Sequence, residues 1–175
     1  MRLKKPAVFL DRDGVINVDR GYVSSRANFK WISGAIEAIK ALNEAGYYVF
    51  VATNQSGIAR GLYSEQAMHE LHAHMLRELA KKGARVDDWR HSPFHPEGTV
   101  AAFAKASDWR KPGPGMILDL MKAWPVDLAR SVLIGDKESD MQAAAAAHVR
   151  GLRFCGGNLL AFVRARVLGA RPRAS

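Results

Sequence analysis

The sequence predicts an α/β fold: a doubly wound, Rossmann-like parallel sheet with helices on both faces and no large cap domain. Three observations lead there. Short apolar, β-branched runs alternate along the chain with stretches of helical spacing. Three of those runs stop at polar clusters, Asp11/Asp13, Thr53/Asn54 and Asp136 with Asp140. No segment between the clusters has room for a large inserted domain.

The elements follow in order. Ala7–Leu10 is a buried strand, ended by Asp11-Arg12-Asp13-Gly14. A polar loop runs from Asp13 to about Ser33. Ile36, Ile39 and Leu42 are spaced for a helix over Gly34–Ala45, which Gly46 stops. Tyr47–Ala52 is a second strand, ending at Thr53-Asn54-Gln55-Ser56-Gly57. Ser64 caps a helix to about Lys82, with Met68, Leu71, Met75 and Leu79 on one face and Gly83 as the stop. Val86–His91 is a weaker strand. Ser92 to Lys111 is irregular and carries Pro93, Pro96 and Gly98. Pro114 starts a helix to about Trp124. Ser131–Ile134 is the fourth strand, and Ser139 caps an alanine-rich helix to about Ala147. Gly151–Phe154 is the fifth strand, and Asn158 to about Leu168 the last helix. One domain over residues 1–168 is expected, with a basic tail at 169–175 that lacks fixed structure.

Length and charge narrow the function classes. A chain of 175 residues with 48% hydrophobic content can bury a sizeable core. A net charge of +9 admits either a nucleic-acid partner or anionic substrates. No acidic residue follows Asp140, while Arg150, Arg153, Arg164, Arg166, Arg171 and Arg173 do. The excess is tail-weighted and forms no stripe along one helix, so no nucleic-acid partner is expected. The single cysteine, Cys155, excludes a disulfide within the chain and a cysteine zinc site. It is expected to be a buried thiol. The apolar run after Arg2, Lys4 and Lys5 is too short for a signal peptide, and no stretch approaches the about 20 apolar residues of a membrane span. The expectation is a cytoplasmic protein without a membrane partner. With no apolar surface stripe, it is expected to be a monomer.

The strand ends carry the chemistry. Two carboxylates spaced i, i+2 repel unless a cation or shared proton compensates. Strand ends of one parallel sheet converge at one edge, so Asp11, Asp13, Thr53 and Asp136 can meet there. Lys111, in a loop before a helix, can join them. Carboxylates of this kind hold Mg²⁺ through hard oxygens. A hydroxyl, loop amides and a lysine can hold a phosphoryl group. One carboxylate is then free to attack phosphorus and the other to move protons. Taken singly each signal is weak. Asp-x-Asp is commonly a solvated turn, Thr53 a strand-end hydroxyl, Lys111 a surface lysine and Asp136 a turn or cap. The reading rests on their order, each after the right kind of element. His69, His72 and His74 share a helix without converging and read as helix surface. The four tryptophans read as packing, and Leu62 and Tyr63 as substrate rim or hydrophobic cover.

These motifs resemble the haloacid dehalogenase (HAD) superfamily of aspartyl-phosphate phosphatases, and the predicted sheet is then of HAD type. Within it, Phe9-Leu10-Asp11-Arg12-Asp13-Gly14-Val15-Ile16-Asn17-Val18-Asp19 and Gly21-Tyr22-Val23 are similar to the D,D-heptose 1,7-bisphosphate phosphatases. So are Thr53-Asn54-Gln55-Ser56-Gly57-Ile58-Ala59-Arg60-Gly61, Arg110-Lys111-Pro112, and Gly135-Asp136-Lys137 followed by Asp140-Met141-Gln142-Ala143-Ala144. The match covers most of residues 6 to 155. It implies Mg²⁺ as cofactor and a small sugar bisphosphate as substrate. It implies Asp11 as nucleophile and metal ligand, Asp13 as general acid/base giving its carbonyl to the metal, and Asp136 as third ligand. Thr53 and Lys111 would hold the transferring phosphoryl group, and Arg110 the other phosphate. Asp19, Arg20, Gly21 and Tyr22, with Asn54, Gln55 and Ser56, would line the sugar site, and Lys137 would sit beside metal and substrate. The chain departs from the family at its structural zinc site, where Ser92, Phe94, Ser107 and Trp109 replace the ligands, so no zinc is expected. The loop from Pro93 to Ser107 is then held by prolines and apolar cover such as Phe94, Phe103 and Trp109. A histidinol-phosphate phosphatase and a polynucleotide 3′-phosphatase are alternatives on the same fold. A binding module using the basic C-terminus is the alternative from another class, and it has no need of the strand-end set.

Overall fold

The computed structural model describes residues 3–169. The sheet has five strands: β1 (Ala7–Leu10), β2 (Tyr48–Asn54), β3 (Asp88–Ser92), β4 (Val132–Gly135) and β5 (Arg150–Arg153). Their order is β3-β2-β1-β4-β5, and every neighbouring pair is parallel. The order reverses at β1, which makes the edge above β1, β2 and β4 the switch point where ligands bind such sheets. Register brings the three ends level, with Leu10 opposite both Val51 and Ile134.

Alternation along β1 sorts the helices. Val8 and Leu10 point to one face, where α1 (Ala35–Glu44), α2 (Glu65–Lys81) and α5 (Leu159–Val163) pack through residues such as Ile39, Leu71, Met75 and Val163. Ala7 and Phe9 point to the other, against Ile117 and Leu120 of α3 (Gly115–Ala123) and Ala143 and Ala144 of α4 (Glu138–Ala146). Phe50 joins this second layer, its ring centroid 5.4 Å from Phe9 and 5.6 Å from Trp124. Ser64 caps α2 as its sequence position requires, its hydroxyl accepting from the Ala67 N–H at 3.1 Å.

Several expectations need correcting. Strand β2 continues through Thr53 and Asn54, so both lie in the sheet and not in the loop beyond it. Ser139 lies inside α4; the cap position is Lys137, whose backbone N–H donates to the Asp140 side chain. A hydrogen-bonding partner three residues on, not the hydroxyl, closes that turn. The last helix is broken: α5 ends at Val163 and a wider π turn follows over Arg164–Leu168. Cys155 is exposed, because the strand ends at Arg153 and the chain turns out through Gly156 and Gly157. His72 is buried on the inner side of α2, unlike the helix-surface reading. In the loop before Lys111, Phe94 and Phe103 pack at 6.3 Å and the Trp109 indole N–H donates to the His91 carbonyl at 2.8 Å. Among the described residues, no helix is long and apolar enough to cross a membrane. The tail from residue 170 onward lies outside the described residues.

Candidate active site

The sheet edge above β1 carries a nest of charge in a tight space. Asp11 follows β1, and its N–H donates to the Ile134 carbonyl, which carries the β1–β4 ladder one residue further. One oxygen of its carboxylate accepts the Arg12 N–H at 2.8 Å and lies 3.0 Å from Lys111 Nζ. Lys111 is 3% exposed and also reaches Asp140 Oδ1 at 2.5 Å and the Ala52 carbonyl at 2.8 Å. Burial works to strip its proton, but Asp11 and then Asp140 outweigh that and hold the ammonium above its ordinary value. Asp11, Asp136 and Asp140 each place a carboxylate oxygen within 4.8 Å of the others. Burial pushes the Asp11 carboxyl up from 3.8 to about 7, against the pull of Lys111 and with the help of Asp140 and Asp13. Asp136 is raised too, again chiefly by burial.

One buried ammonium, with Lys137 more exposed beyond it, faces three carboxylates, and the donor set decides where a cation fits. Both Asp140 oxygens are taken, Oδ1 by Lys111 and Oδ2 by the Lys137 N–H at 3.0 Å. Asp136 Oδ1 is buried with no partner among the described residues. A Cβ on Gly14 would lie 2.2 Å from Asp136 Oδ2, so only glycine clears this carboxylate; its φ of +86° also suits glycine. Asp11 and Asp136 are therefore the carboxylates able to hold a hard divalent cation such as Mg²⁺, and Asp140 anchors Lys111.

Asp13 is held differently. Its Oδ1 accepts from Arg12 Nη2 at 2.9 Å and Asn17 Nδ2 at 3.0 Å, and its Oδ2 from Gln55 Nε2 at 3.0 Å. Gln55 also donates to Thr53 Oγ1 at 2.9 Å and accepts from the Tyr63 hydroxyl at 2.5 Å. Burial pushes that Tyr63 phenol up to about 12. Gln55, expected in the sugar lining, is thus 2% exposed with its amide spent inside the site. The Asn54 amide is similarly committed, pairing with the Lys111 N–H and carbonyl at 3.0 and 2.9 Å and fixing that loop to β2.

A cavity of about 140 Å³ opens between Asp11, Asp13, Ser56, Arg110, Lys111 and Lys137. Burial and the neighbouring Arg60 hold the Arg110 guanidinium below its ordinary value, and its Nη1 is buried without a partner among the described residues. Lys137 reaches Asp19 Oδ2 at 3.4 Å; burial opposes its charge, but Asp19, Asp136 and Asp11 prevail and raise it. Tyr22 stands exposed at the rim in a left-handed conformation (φ 52°). Arg20 and Gly21 are exposed, and no side-chain contact ties either to the cavity among the described residues. The sequence reading missed Arg12 and Asn17 as parts of the site. It placed Asp140 beside Asp136 at a strand end without a role of its own, and left Tyr63 between substrate rim and hydrophobic cover; the signal for Asp140 was its i+4 spacing from Asp136 at the head of a helix.

Fold and site together define a haloacid dehalogenase-type phosphatase. The family model of the polynucleotide kinase 3 phosphatases matches residues 8–149. The D-glycero-beta-D-manno-heptose-1,7-bisphosphate 7-phosphatase of Rhodopseudomonas palustris is 55% identical over 172 residues, 98% of this chain and 95% of that protein. Its namesake in Escherichia coli K12 is 46% identical over 144 residues, 82% of this chain and 75% of that protein. The crystal structure of the D,D-heptose 1,7-bisphosphate phosphatase from B. bronchiseptica with magnesium and phosphate superposes with a TM-score of 0.79 at 34% identity, covering 97% of this chain and 90% of that one. A HAD-like phosphatase from Mesorhizobium loti gives 0.82 at 39%, covering 88% and 74%. The chain belongs to the D-glycero-beta-D-manno-heptose-1,7-bisphosphate 7-phosphatase family.

Proposed function

We propose that this protein removes the C7 phosphate of D-glycero-β-D-manno-heptose 1,7-bisphosphate and leaves the 1-phosphate, a step towards nucleotide-activated heptose for lipopolysaccharide core. The observation that carries the chemistry is the buried Asp11 carboxylate, 3.0 Å from Lys111 and grouped with Asp136 at one sheet edge. The relatives' names supply the sugar and its anomer.

Asp11 is the nucleophile. Its second oxygen attacks phosphorus, the bond to the sugar oxygen breaks, and an aspartyl phosphate forms. Lys111 and Thr53 hold the phosphoryl oxygens as charge builds on them. Asp13 gives a proton to the departing C7 oxygen and later takes one from the water that hydrolyses the acyl phosphate. Asp11, Asp136 and the Asp13 carbonyl would hold Mg²⁺, which would supply countercharge for nucleophile and phosphate. Arg110, which among the described residues has a buried N–H lacking a partner and no carboxylate beside it, binds the 1-phosphate by its planar fork. Asp19, Tyr22 and Ser56 line the sugar, and Lys137 bridges rim and metal site. The protein works as one domain over residues 1–168, as a cytoplasmic monomer, without zinc and without a nucleic-acid partner.

The test is phosphate release, with and without Mg²⁺, from both anomers of heptose 1,7-bisphosphate, from histidinol phosphate and from a 3′-phosphorylated oligonucleotide. Fast Mg²⁺-dependent release from the β anomer, abolished in Asp11→Asn, is expected. Preference for the oligonucleotide would instead favour the activity in the family model's name.

A further inference from the structure

Arg12 is the largest fully buried side chain among the described residues, and holding a phosphoryl group requires nothing of it. A guanidinium without access to water needs partners for its N–H groups. Nη2 donates to Asp13 Oδ1 at 2.9 Å and to the Val23 carbonyl at 2.5 Å. Nη1 lies 3.2 Å from His72 Nε2. An arginine gives up no proton in a protein, so in this contact it donates and Nε2 accepts. His72 then carries its single proton on Nδ1. Burial first, and the charge of Arg12 second, pull the His72 imidazole down to about 2, which keeps the accepting form in place at any working pH. The ring itself is stacked on Trp89, 4.4 Å between centroids and 27° between planes.

These contacts form a chain of constraint. Trp89 sets the plane of the His72 ring, the ring sets the Arg12 fork, and the fork sets one edge of the Asp13 carboxylate. We propose that His72 is a positioning residue for Asp13, acting through Arg12 and braced by Trp89. The proposal rests on the reading of Asp13 as the acid/base group. His72 touches no part of the substrate cavity, so its contribution belongs to kcat and not to substrate binding. Asn17 and Gln55 also hold Asp13, so the effect is partial.

The fold offers a direct way to test this. His72 and Trp89 line a second cavity of about 810 Å³, open to solvent and walled by Phe94, Phe103 and Trp109. A small acceptor molecule can enter it and take the place of a deleted ring. In His72→Ala, kcat should fall about ten- to hundredfold, the scale of a misplaced catalytic group, with KM within about twofold of wild type. Added imidazole should recover part of that kcat and leave wild type unchanged. His72→Phe keeps a ring against Trp89 but offers no acceptor. It should lose kcat as His72→Ala does while unfolding at a temperature near wild type. His72→Gln, whose amide oxygen can accept from Arg12, should stay within about threefold of wild type. Wild-type kcat in His72→Phe, or a loss confined to KM, would overturn the proposal. If wild type itself releases no phosphate from heptose bisphosphate, the activity reading fails separately. Crystal structures of wild type and His72→Phe then decide the positioning role: Asp13 still seated on Arg12 in the variant would sink it.

Discussion

Replacing Lys111 by methionine keeps most of the length of the side chain and removes the one buried cation of the cluster. Its ammonium sits 3.0 Å from Asp11 and 2.5 Å from Asp140, and breaking a buried ion pair from one side costs about 3–5 kcal/mol. The loss should depend on pH in a definite direction. The Asp11 carboxyl is raised in the folded protein from 3.8 to about 7, with Lys111 pulling against that rise. Between these values the folded state keeps a proton that the unfolded chain has released, so stability falls as pH rises through the window. In wild type without metal that amounts to on the order of 4 kcal/mol across the window. Without Lys111 the folded value climbs further and the window extends above pH 7. At pH 5.5 Asp11 is protonated in both proteins and only the Asp140 contact is missed; at pH 8 both are. Urea unfolding of metal-free protein should therefore show Lys111→Met less stable by about 3–5 kcal/mol at pH 8 and by about half that at pH 5.5. Millimolar Mg²⁺ at pH 8 should recover part of the difference, since a divalent cation supplies the missing countercharge. An equal loss at both pH values would refute the electrostatic account and leave Lys111 as a packing residue.

Three more outcomes follow from the same geometry. Mg²⁺ must displace the proton that Asp11 holds up to about pH 7, so calorimetry should find binding about tenfold weaker at pH 6 than at pH 8, with proton release at the lower pH; equal affinities would mean that Asp11 binds no metal. In Gly14→Ala the new Cβ falls 2.2 Å from Asp136 Oδ2 at a φ of +86°, which should cost about 1–3 kcal/mol and abolish Mg²⁺ binding, both readable in one melting series with and without the ion. Arg110→Lys should raise KM for the bisphosphate about tenfold, leave kcat near wild type, and not affect a heptose 7-phosphate that lacks the second phosphate; an equal effect on both substrates would move Arg110 to the transferring phosphate.

The fold was legible because its signals are local. The alternation of apolar runs and helical spacing placed all five strands and the helices, and Gly46, Ser64 and Gly83 marked ends through backbone conformation and a single hydrogen bond. The misreadings occur where a distant contact outweighs a local preference. Thr53 and Asn54 look like loop residues, yet they pair with His91 and Ser92 of β3 and stay in the sheet. Ser139 is the better cap by residue type, but the Lys137 N–H finds Asp140, which Lys111 already holds in place. Cys155 is apolar enough for a core, and only the two following glycines, both at positive φ, turn it outward.

The site divides along the same line. Asp11, Asp13, Thr53 and Asp136 could be picked out because they stand at or beside strand ends, which can be read from the chain, and Lys111 because it lies in the loop before a helix. The residues that orient them could not. An arginine between two aspartates reads as a solvated charge, since sequence alone shows its neighbours and not its burial. His72 sits 60 residues away on a helix whose apolar face is already accounted for by Met68, Leu71, Met75 and Leu79. Each residue becomes intelligible only through the other: a buried guanidinium must donate, and a buried imidazole beside it must stay neutral to accept. Such a pair carries no periodicity and no cap signal, and it can be recognised only once the fold has closed over it. The groups proposed to meet the phosphoryl group are therefore visible in the chain, while those proposed to aim them are visible only in the folded protein.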